Sequence, residues 1–122
     1  MRPKPRILIV EDEAGIGTGL QWNLEAEGMS VRVVGRASEV LPAIEDFKPD
    51  VLLLDLSLPD GNGRDVYDWV KGRLPVIFST GSFTERELVE HSIRDATVLM
   101  KPYTTQDLLL TIDRVLPPGA AC

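Results

Sequence analysis

The chain has 122 residues, a 43% apolar composition and a formal net charge of −6 at pH 7. This length fits one globular domain, so we expect residues 1–122 to form a single domain with no second domain beside it. The negative charge argues against direct binding of nucleic acid, because that binding depends on a basic surface. The chain lacks an apolar run of membrane-spanning length, and Cys122 is its single cysteine, so we expect a cytoplasmic protein.

Five short apolar runs, rich in β-branched residues, recur along the chain and predict buried parallel strands. Longer segments of mixed polarity separate them, which is the alternation of strand and helix typical of α/β proteins. The predicted strands cover residues 7–10, 31–34, 51–54, 76–78 and 98–100.

The segments between these runs carry apolar residues at helical spacing. The predicted helices cover residues 13–27, 38–47, 63–72 and 105–115, and a brief fourth helix is expected within residues 84–96, which hold the whole connection between the fourth and fifth strands. Ser38 and either Thr104 or Thr105 are suitable N-terminal caps, and Gly28 is a suitable end for the first helix. This order of elements predicts an α/β fold, a doubly wound five-stranded parallel sheet with helices on both faces.

Polar side chains stand directly after four of the predicted strands. Two acids follow the first strand, an aspartate the third, a threonine the fourth and a lysine the fifth. These residues are Glu11, Asp12, Asp55, Thr80 and Lys101. They are expected to converge, because the ligand crevice of an open parallel sheet lies outside the carboxyl ends of its strands.

Three carboxylates so close together would repel one another unless a divalent cation lay between them. An all-oxygen site of this kind suits Mg²⁺, with Mn²⁺ as a substitute. The ionised carboxylate of Asp55 can attack phosphorus and hold the phosphoryl group as an acyl phosphate. Thr80 and Lys101 would supply a hydroxyl and an ammonium to the charge that develops on the phosphoryl oxygens.

Four segments of the chain resemble the receiver domain of two-component response regulators. They are LIVEDE at residues 8–13, LDLSLPDG at 54–61, PVIFSTG at 75–81 and KPY at 101–103. Together they extend the resemblance from residue 7 to about residue 115. It implies a flavodoxin-like (βα)5 fold and a phosphoacceptor that takes its phosphoryl group from a sensor histidine kinase or a histidine phosphotransfer protein.

The resemblance also implies a role for each residue at the strand ends. Asp55 would be the phosphoacceptor, and Thr80 and Lys101 would contact the phosphoryl group. The implied metal ligands are Asp12 and Asp55 directly, Glu11 through water, and the backbone carbonyl of Ser57. The peptide bond between Lys101 and Pro102 is expected to be cis.

Three further positions bear on the lifetime and the readout of the phosphoryl group. In the family, the positions of Ser57 and Ser82 influence how water approaches the acyl phosphate, and neither residue is an acid or an amide that would orient it well. We therefore expect a comparatively long-lived phosphoryl state. Val98 stands three residues before Lys101, where many receivers carry an aromatic switch residue, so the usual coupling through that side chain is not expected.

A phosphodonor needs a surface on which to dock. In similar proteins its helices contact the first helix and the loop after the fifth strand, which makes Gly15, Ile16, Gly19, Pro102 and Tyr103 the expected contacts. The alternative is that Ile16 belongs to the core and the glycines are incidental. The resemblance leaves the downstream target unknown and allows a homodimer.

Two other functions stay open from the sequence. A pseudo-receiver would be an interaction module that never takes phosphate, although the full set of acids, threonine and lysine argues against it. A haloacid-dehalogenase-type phosphohydrolase also uses a strand-end aspartate and Mg²⁺, but it requires a second acid where this chain has Ser57. We expect a signalling phosphoacceptor that catalyses only its own phosphorylation and dephosphorylation.

Overall fold

The structure, a computed structural model, describes residues 4–116 and is built on a central sheet of five parallel strands. The strands along the chain are β1 (Arg6–Val10), β2 (Ser30–Val34), β3 (Val51–Asp55), β4 (Ser57–Leu58), β5 (Gly61–Asn62), β6 (Val76–Thr80) and β7 (Thr97–Met100). β4 and β5 form a small antiparallel hairpin, and the other five lie in the order β2-β1-β3-β6-β7. The five predicted strands are confirmed, with ends that differ by one or two residues.

The register of the sheet aligns the carboxyl ends of its strands. Val10 of β1 lies opposite Leu54 of β3, and Asp55 of β3 lies opposite Ser79 of β6. β7 continues the row on the other side of β6. The strand order reverses between β1 and β3, since β2 lies on one side of this pair and β6 and β7 on the other, and open α/β sheets form their ligand crevice at such a point.

Helices cover both faces of the sheet, as predicted. They are α1 (Ala14–Ala26), α2 (Val40–Phe47), α3 (Gly63–Val70), α4 (Phe83–Ser92) and α5 (Thr105–Val115), with a 3₁₀ turn (Ala37–Glu39) before α2. α4 has ten residues and is longer than α2 and α3, which have eight each, so the expectation of a brief fourth helix is not confirmed. In the part of the chain that is described, no helix combines the length and the apolar character that crossing a membrane requires.

Local signals account for two of the helix ends. The Thr104 side chain accepts a hydrogen bond from the Asp107 N–H while the Asp107 side chain accepts one from the Thr104 N–H, which is a reciprocal capping box. Gly28 lies just beyond the end of α1 with φ of +89°, a conformation that favours glycine.

The predicted cap at Ser38 is wrong. The 3₁₀ turn begins at Ala37, and the Asp60 carboxylate accepts hydrogen bonds from the N–H groups of Ala37 (2.7 Å) and Ser38 (3.1 Å). These two contacts, with Ala37 first, lower the pKa of Asp60 below its ordinary value. A residue distant in sequence therefore takes the place of the local cap.

The core is divided into two layers by the sheet. Alternate strand residues such as Leu8 and Phe78 pack beneath α2, α3 and α4, whereas Ile7 and Ile77 pack beneath α1 and α5. All four side chains are at most 1% exposed. Burial on both faces explains why the strands appear in the sequence as continuous apolar runs and not as alternating ones.

Gly63 starts α3 directly against the end of β3. A Cβ atom at this position would lie 2.6 Å from the Asp55 carbonyl oxygen and 2.9 Å from the Leu56 Cα. Because both neighbours are backbone atoms, we expect Gly63→Ala to lower the free energy of unfolding by about 1–3 kcal/mol.

Urea denaturation of Gly63→Ala beside Gly15→Ala tests this prediction. A Cβ at Gly15 meets nothing within 4 Å, and alanine is favoured in a helix, so this control should gain up to about 1 kcal/mol. Equal changes in the two variants would contradict the packing argument.

Candidate functional site

Lys101 lies between two buried carboxylates at the carboxyl edge of the sheet. Its Nζ donates to Glu11 Oε1 at 2.9 Å and to Asp55 Oδ2 at 3.2 Å. Glu11 is 4% exposed and Asp55 is 5% exposed. The ammonium therefore compensates two negative charges that burial would otherwise make very costly.

Glu11, Asp12 and Asp55 form an acidic cluster. Each offers a carboxylate oxygen, and these atoms all lie within 4.8 Å of one another. Asp12 is exposed while the other two are buried, so the cluster opens to solvent on one side. Three hard oxygen ligands at an accessible rim are able to hold a divalent cation of the Mg²⁺ type.

Ser57 fixes the orientation of the Asp55 side chain. Its backbone N–H donates to Asp55 Oδ1 at 3.0 Å, while the other carboxylate oxygen faces Lys101. The carboxylate is thereby held at both oxygens, by a neutral donor and by a charged one. This arrangement presents the aspartate in a single orientation at the rim of the sheet.

The acids and the lysine influence one another's protonation. Burial raises the pKa of Glu11, and the charge of Asp55 raises it further, while the hydrogen bond from Lys101 opposes both. Burial by itself would lower the pKa of Lys101, but its hydrogen bond to Glu11 and the charge of Asp55 outweigh burial and raise it. Lys101 therefore stays charged at neutral pH.

The raised pKa of Glu11 yields a prediction for Glu11→Gln. When the pKa of a carboxyl is higher in the folded state than in the unfolded state, its protonated form is favoured by folding. Its contribution to stability is therefore fully present below the unfolded pKa and is lost as the pH rises through the folded pKa. At pH 7 without metal, we expect Glu11→Gln to melt at a higher temperature than the wild type, and the difference should shrink as the pH falls below the ordinary glutamate value.

The same variant should bind Mg²⁺ about 10- to 100-fold more weakly, since it loses one charge of the acidic cluster. Thermal melts across this pH range and calorimetric Mg²⁺ titrations supply both measurements. A lower melting temperature for Glu11→Gln at pH 7 would contradict the electrostatic account.

Thr80 ends β6 and is 2% exposed. Its hydroxyl donates to Glu85 of α4 and accepts from the Ser82 N–H at 3.0 Å. Ser82 is also the N-cap of α4, and its side chain accepts from the Glu85 N–H at 3.2 Å. Glu85 was not among the predicted site residues, although the spacing Ser82-x-x-Glu85 is a helix-start signature that could have located it.

A groove lies beside the cluster, between α1 and the segment after β7. It measures about 470 Å³ and is lined by Ile16, Leu20, Lys101, Pro102 and Tyr103. Ile16 is 39% exposed, so the alternative that it belongs to the core is wrong. Gly15 and Gly19 lie on the same helix outside the lining, with open space where a side chain would stand.

Two further features of this edge concern the segment around Lys101. The peptide bond between Lys101 and Pro102 is cis. Val98 is half-buried and packs against the core layer that contains Phe78, its partner across β6 and β7. Val98 is thus a packing residue without a polar group to move between two positions.

Comparison with known proteins gives concordant matches. A model of the response regulator receiver domain matches residues 7–113. The phosphate regulon transcriptional regulatory protein PhoB of Rhizobium meliloti is 32% identical over 118 residues, which are 92% of this chain and 52% of that protein. The sensory transduction protein RegX3 of Mycolicibacterium smegmatis is 35% identical over 117 residues, which are 93% of this chain and 51% of that protein.

A solved structure agrees with these matches. The non-phosphorylated HemR receiver domain of Leptospira biflexa is 33% identical, with a TM-score of 0.78 and coverage of 92% of this chain and 94% of that chain. The present chain spans about half the length of the curated relatives it matches.

Proposed function

The chain belongs to the response regulator receiver domain family, and from that premise we propose that it accepts a phosphoryl group on Asp55 in a Mg²⁺-dependent reaction. One observation carries this proposal. The Asp55 carboxylate is buried at a strand end, hydrogen-bonded to Lys101, and within 4.8 Å of the oxygens of Glu11 and Asp12. An acceptor, a cation-binding cluster and a fixed positive charge are thereby combined in one site.

The donor would be a phosphohistidine of a sensor histidine kinase or a phosphotransfer protein. An oxygen of Asp55 attacks phosphorus, the P–N bond breaks, and the histidine nitrogen keeps the electron pair and is protonated. In the later hydrolysis a water oxygen attacks phosphorus, the bond to Asp55 breaks, and inorganic phosphate leaves the restored carboxylate. Phosphoryl transfer mainly needs positioning and charge compensation, which the side chains around Asp55 are able to provide.

Each neighbour of Asp55 has a distinct part in this proposal. Lys101 would place its ammonium against the phosphoryl oxygens, and Thr80 would donate its hydroxyl proton to one of them. The proposed Mg²⁺ ligands are Asp12 and Asp55 directly, Glu11 through water, and the Ser57 carbonyl. When bound, the cation would offset the charge of the acids and of the incoming phosphoryl group.

Incubation with acetyl phosphate and Mg²⁺, followed by intact mass spectrometry, tests the proposal. We expect the mass to increase by one phosphoryl group, and we expect EDTA to prevent it. An unmodified protein would favour the pseudo-receiver alternative. Continuous release of phosphate from a phosphomonoester would favour a phosphohydrolase over a signalling phosphoacceptor that acts only on itself.

We also propose that the phosphoryl group is comparatively long-lived. Ser57 is exposed beside Asp55, and the hydroxyl of Ser82 is engaged by the N–H of Glu85. Neither serine offers the carboxylate or amide that would orient an attacking water.

The groove beside the acidic cluster is the proposed docking surface for the phosphodonor. Ile16, Pro102 and Tyr103 line it, and the absence of side chains at Gly15 and Gly19 would let a partner helix approach α1 closely. An apolar anchor residue at an interface is commonly worth more than 1 kcal/mol. We propose that the partner is helical and presents its histidine towards Asp55.

Ile16→Asp tests the docking surface. We expect transfer from the cognate phosphorylated kinase to slow about 10-fold, because a charge replaces an apolar contact. Phosphorylation by acetyl phosphate should not change, since a small donor needs no docking surface. The matched control is Leu110→Asp, which changes another exposed apolar residue, on α5. Unaltered kinase transfer in Ile16→Asp would reject the docking proposal.

The wider setting of the chain is also a proposal. PhoB is named as a transcriptional regulatory protein, whereas this chain has a net charge of −6, so we propose that it makes no direct contact with nucleic acid and acts through another polypeptide. We further propose that residues 1–122 belong to one domain in the cytoplasm, with a homodimer as an open alternative. Cys122 lies outside the described residues.

A further inference from the structure

Glu85 binds the Thr80 hydroxyl, which is the group that a phosphoryl group on Asp55 would need as a hydrogen-bond donor. The Thr80 hydroxyl has a single proton, and in this structure it donates that proton to the Glu85 carboxylate. The oxygen of the same hydroxyl accepts from the Ser82 N–H at 3.0 Å. The single hydrogen-bond donor of the Thr80 side chain is therefore engaged by the first turn of α4 before any phosphoryl group arrives.

The Glu85 side chain departs from its usual role at a helix start. A glutamate three residues after a serine N-cap normally turns back to accept from the N-cap N–H. Here the Ser82 N–H donates to Thr80, and the Glu85 carboxylate binds the Thr80 hydroxyl. Only half of the capping box is formed, by the hydrogen bond from the Glu85 N–H to the Ser82 side chain. The Glu85 carboxylate therefore binds the end of β6 and does not complete the cap of α4.

We propose that Glu85 is a positioning residue that withholds the Thr80 proton, so that a phosphoryl group on Asp55 must compete with Glu85 for it. This inference rests on the proposed phosphorylation of Asp55. Both competitors are anionic acceptors, and one proton cannot satisfy both of them. When Thr80 donates to the phosphoryl group, Glu85 is released, and the hydrogen bond that joins α4 to the end of β6 is lost.

This competition would couple phosphorylation of Asp55 to α4 without involving Val98. Val98 is a half-buried packing residue, whereas Glu85 joins the end of β6 to the first turn of α4. Glu85 also lines a groove of about 250 Å³ with Leu56, Asn62 and Leu88, on the side of α4 that faces α3. Release of its carboxylate therefore changes the position of a negative charge at an accessible groove and the shape of that groove.

Calorimetric titration with beryllofluoride in excess Mg²⁺ measures the competition, because this anion mimics a phosphoryl group on aspartate. We expect Glu85→Ala to bind about 10-fold more tightly than the wild type, since the competing charge-assisted bond is lost. Glu85→Gln keeps a neutral, weaker acceptor and should gain about 3-fold. The matched control Glu87→Ala removes an exposed acid from the same helix and should leave the affinity unchanged.

A double-variant comparison separates this role from a general effect of charge. In a Thr80→Val background no hydroxyl proton remains to be withheld, so adding Glu85→Ala should no longer tighten binding. Persistence of the full gain in that background would overturn the proposal, and so would unchanged or weaker binding in Glu85→Ala alone. Should Glu85→Ala not melt cooperatively, Glu85→Gln carries the same test, and an affinity equal to that of the wild type overturns the proposal.

Failure of the wild type to bind beryllofluoride would instead count against the phosphorylation of Asp55. The two proposals therefore fail by different results. Wild-type binding without a Glu85 effect leaves the acceptor site intact and removes only the positioning role.

Discussion

Asp55→Asn is expected to abolish phosphorylation by acetyl phosphate, with a loss of about 10³-fold or more in rate. An amide keeps the size of the side chain and its contact with the Ser57 N–H, but it is a far weaker nucleophile towards phosphorus. It also removes one charge from the acidic cluster, so Mg²⁺ affinity should fall in the same variant.

The fold should survive this change. The charge of Asp55 raises the pKa of Glu11, so its removal lessens the cost of ionised Glu11 and leaves Lys101 paired with Glu11. We expect the metal-free variant to melt no lower than the wild type. Asp113→Asn, an exposed change on α5, is the matched control and should be phosphorylated normally. Normal modification of Asp55→Asn would place the acceptor elsewhere.

Lys101→Met is the second substitution with a large expected effect. It keeps the apolar length of the side chain and removes the ammonium that contacts both Glu11 and Asp55. Loss of a fixed donor to developing charge slows enzymatic reactions by about 10²- to 10³-fold, and we expect a decrease of this size in the rate of phosphorylation. Timed mass spectrometry with acetyl phosphate and Mg²⁺ measures it.

Lys101→Met should also destabilise the metal-free protein, by about 1–3 kcal/mol, because two buried carboxylates lose their shared hydrogen-bond donor. The raised pKa of Lys101 gives the pH range. Its contribution is fully present below the unfolded lysine pKa and is lost as pH rises through the still higher folded pKa, so the deficit is complete at pH 7.

Excess Mg²⁺ should restore part of the lost stability, because a divalent cation compensates the same two acids. The matched control is Lys71→Met, where the side chain is 60% exposed and pairs with Asp68 at the surface. Surface pairs of this kind contribute about 0–1 kcal/mol, so the control should differ little from the wild type. Equal effects of the two lysine changes would contradict the central position assigned to Lys101.

Much of the sheet follows from local sequence. Strands buried on both faces require continuous apolar residues, and runs such as 51–54 and 76–78 are long enough to be strands and too short to be separate helices. The polar residues that end these runs converge because the strands are parallel. The contacts of Lys101 with Glu11 and Asp55 bridge 90 and 46 positions of the chain, yet topology alone brings them together.

Contacts set by tertiary packing were not predictable in this way. Asp60 caps a turn 22 or 23 residues away, so the local choice of Ser38 was wrong. Gly63 needs a bare Cα because the end of β3 passes over it, which no pattern around position 63 reveals. The helix-start signature at Ser82 lay within the sequence, but the turn of Glu85 towards Thr80 depends on where β6 ends.

Peptide mapping of the modified protein tests the central claim most directly. After incubation with acetyl phosphate and Mg²⁺, the phosphoryl group should be found on Asp55 and should be released by hydroxylamine, as expected of an acyl phosphate. Modification of another residue, or a wild-type protein that remains unmodified under these conditions, would contradict the account.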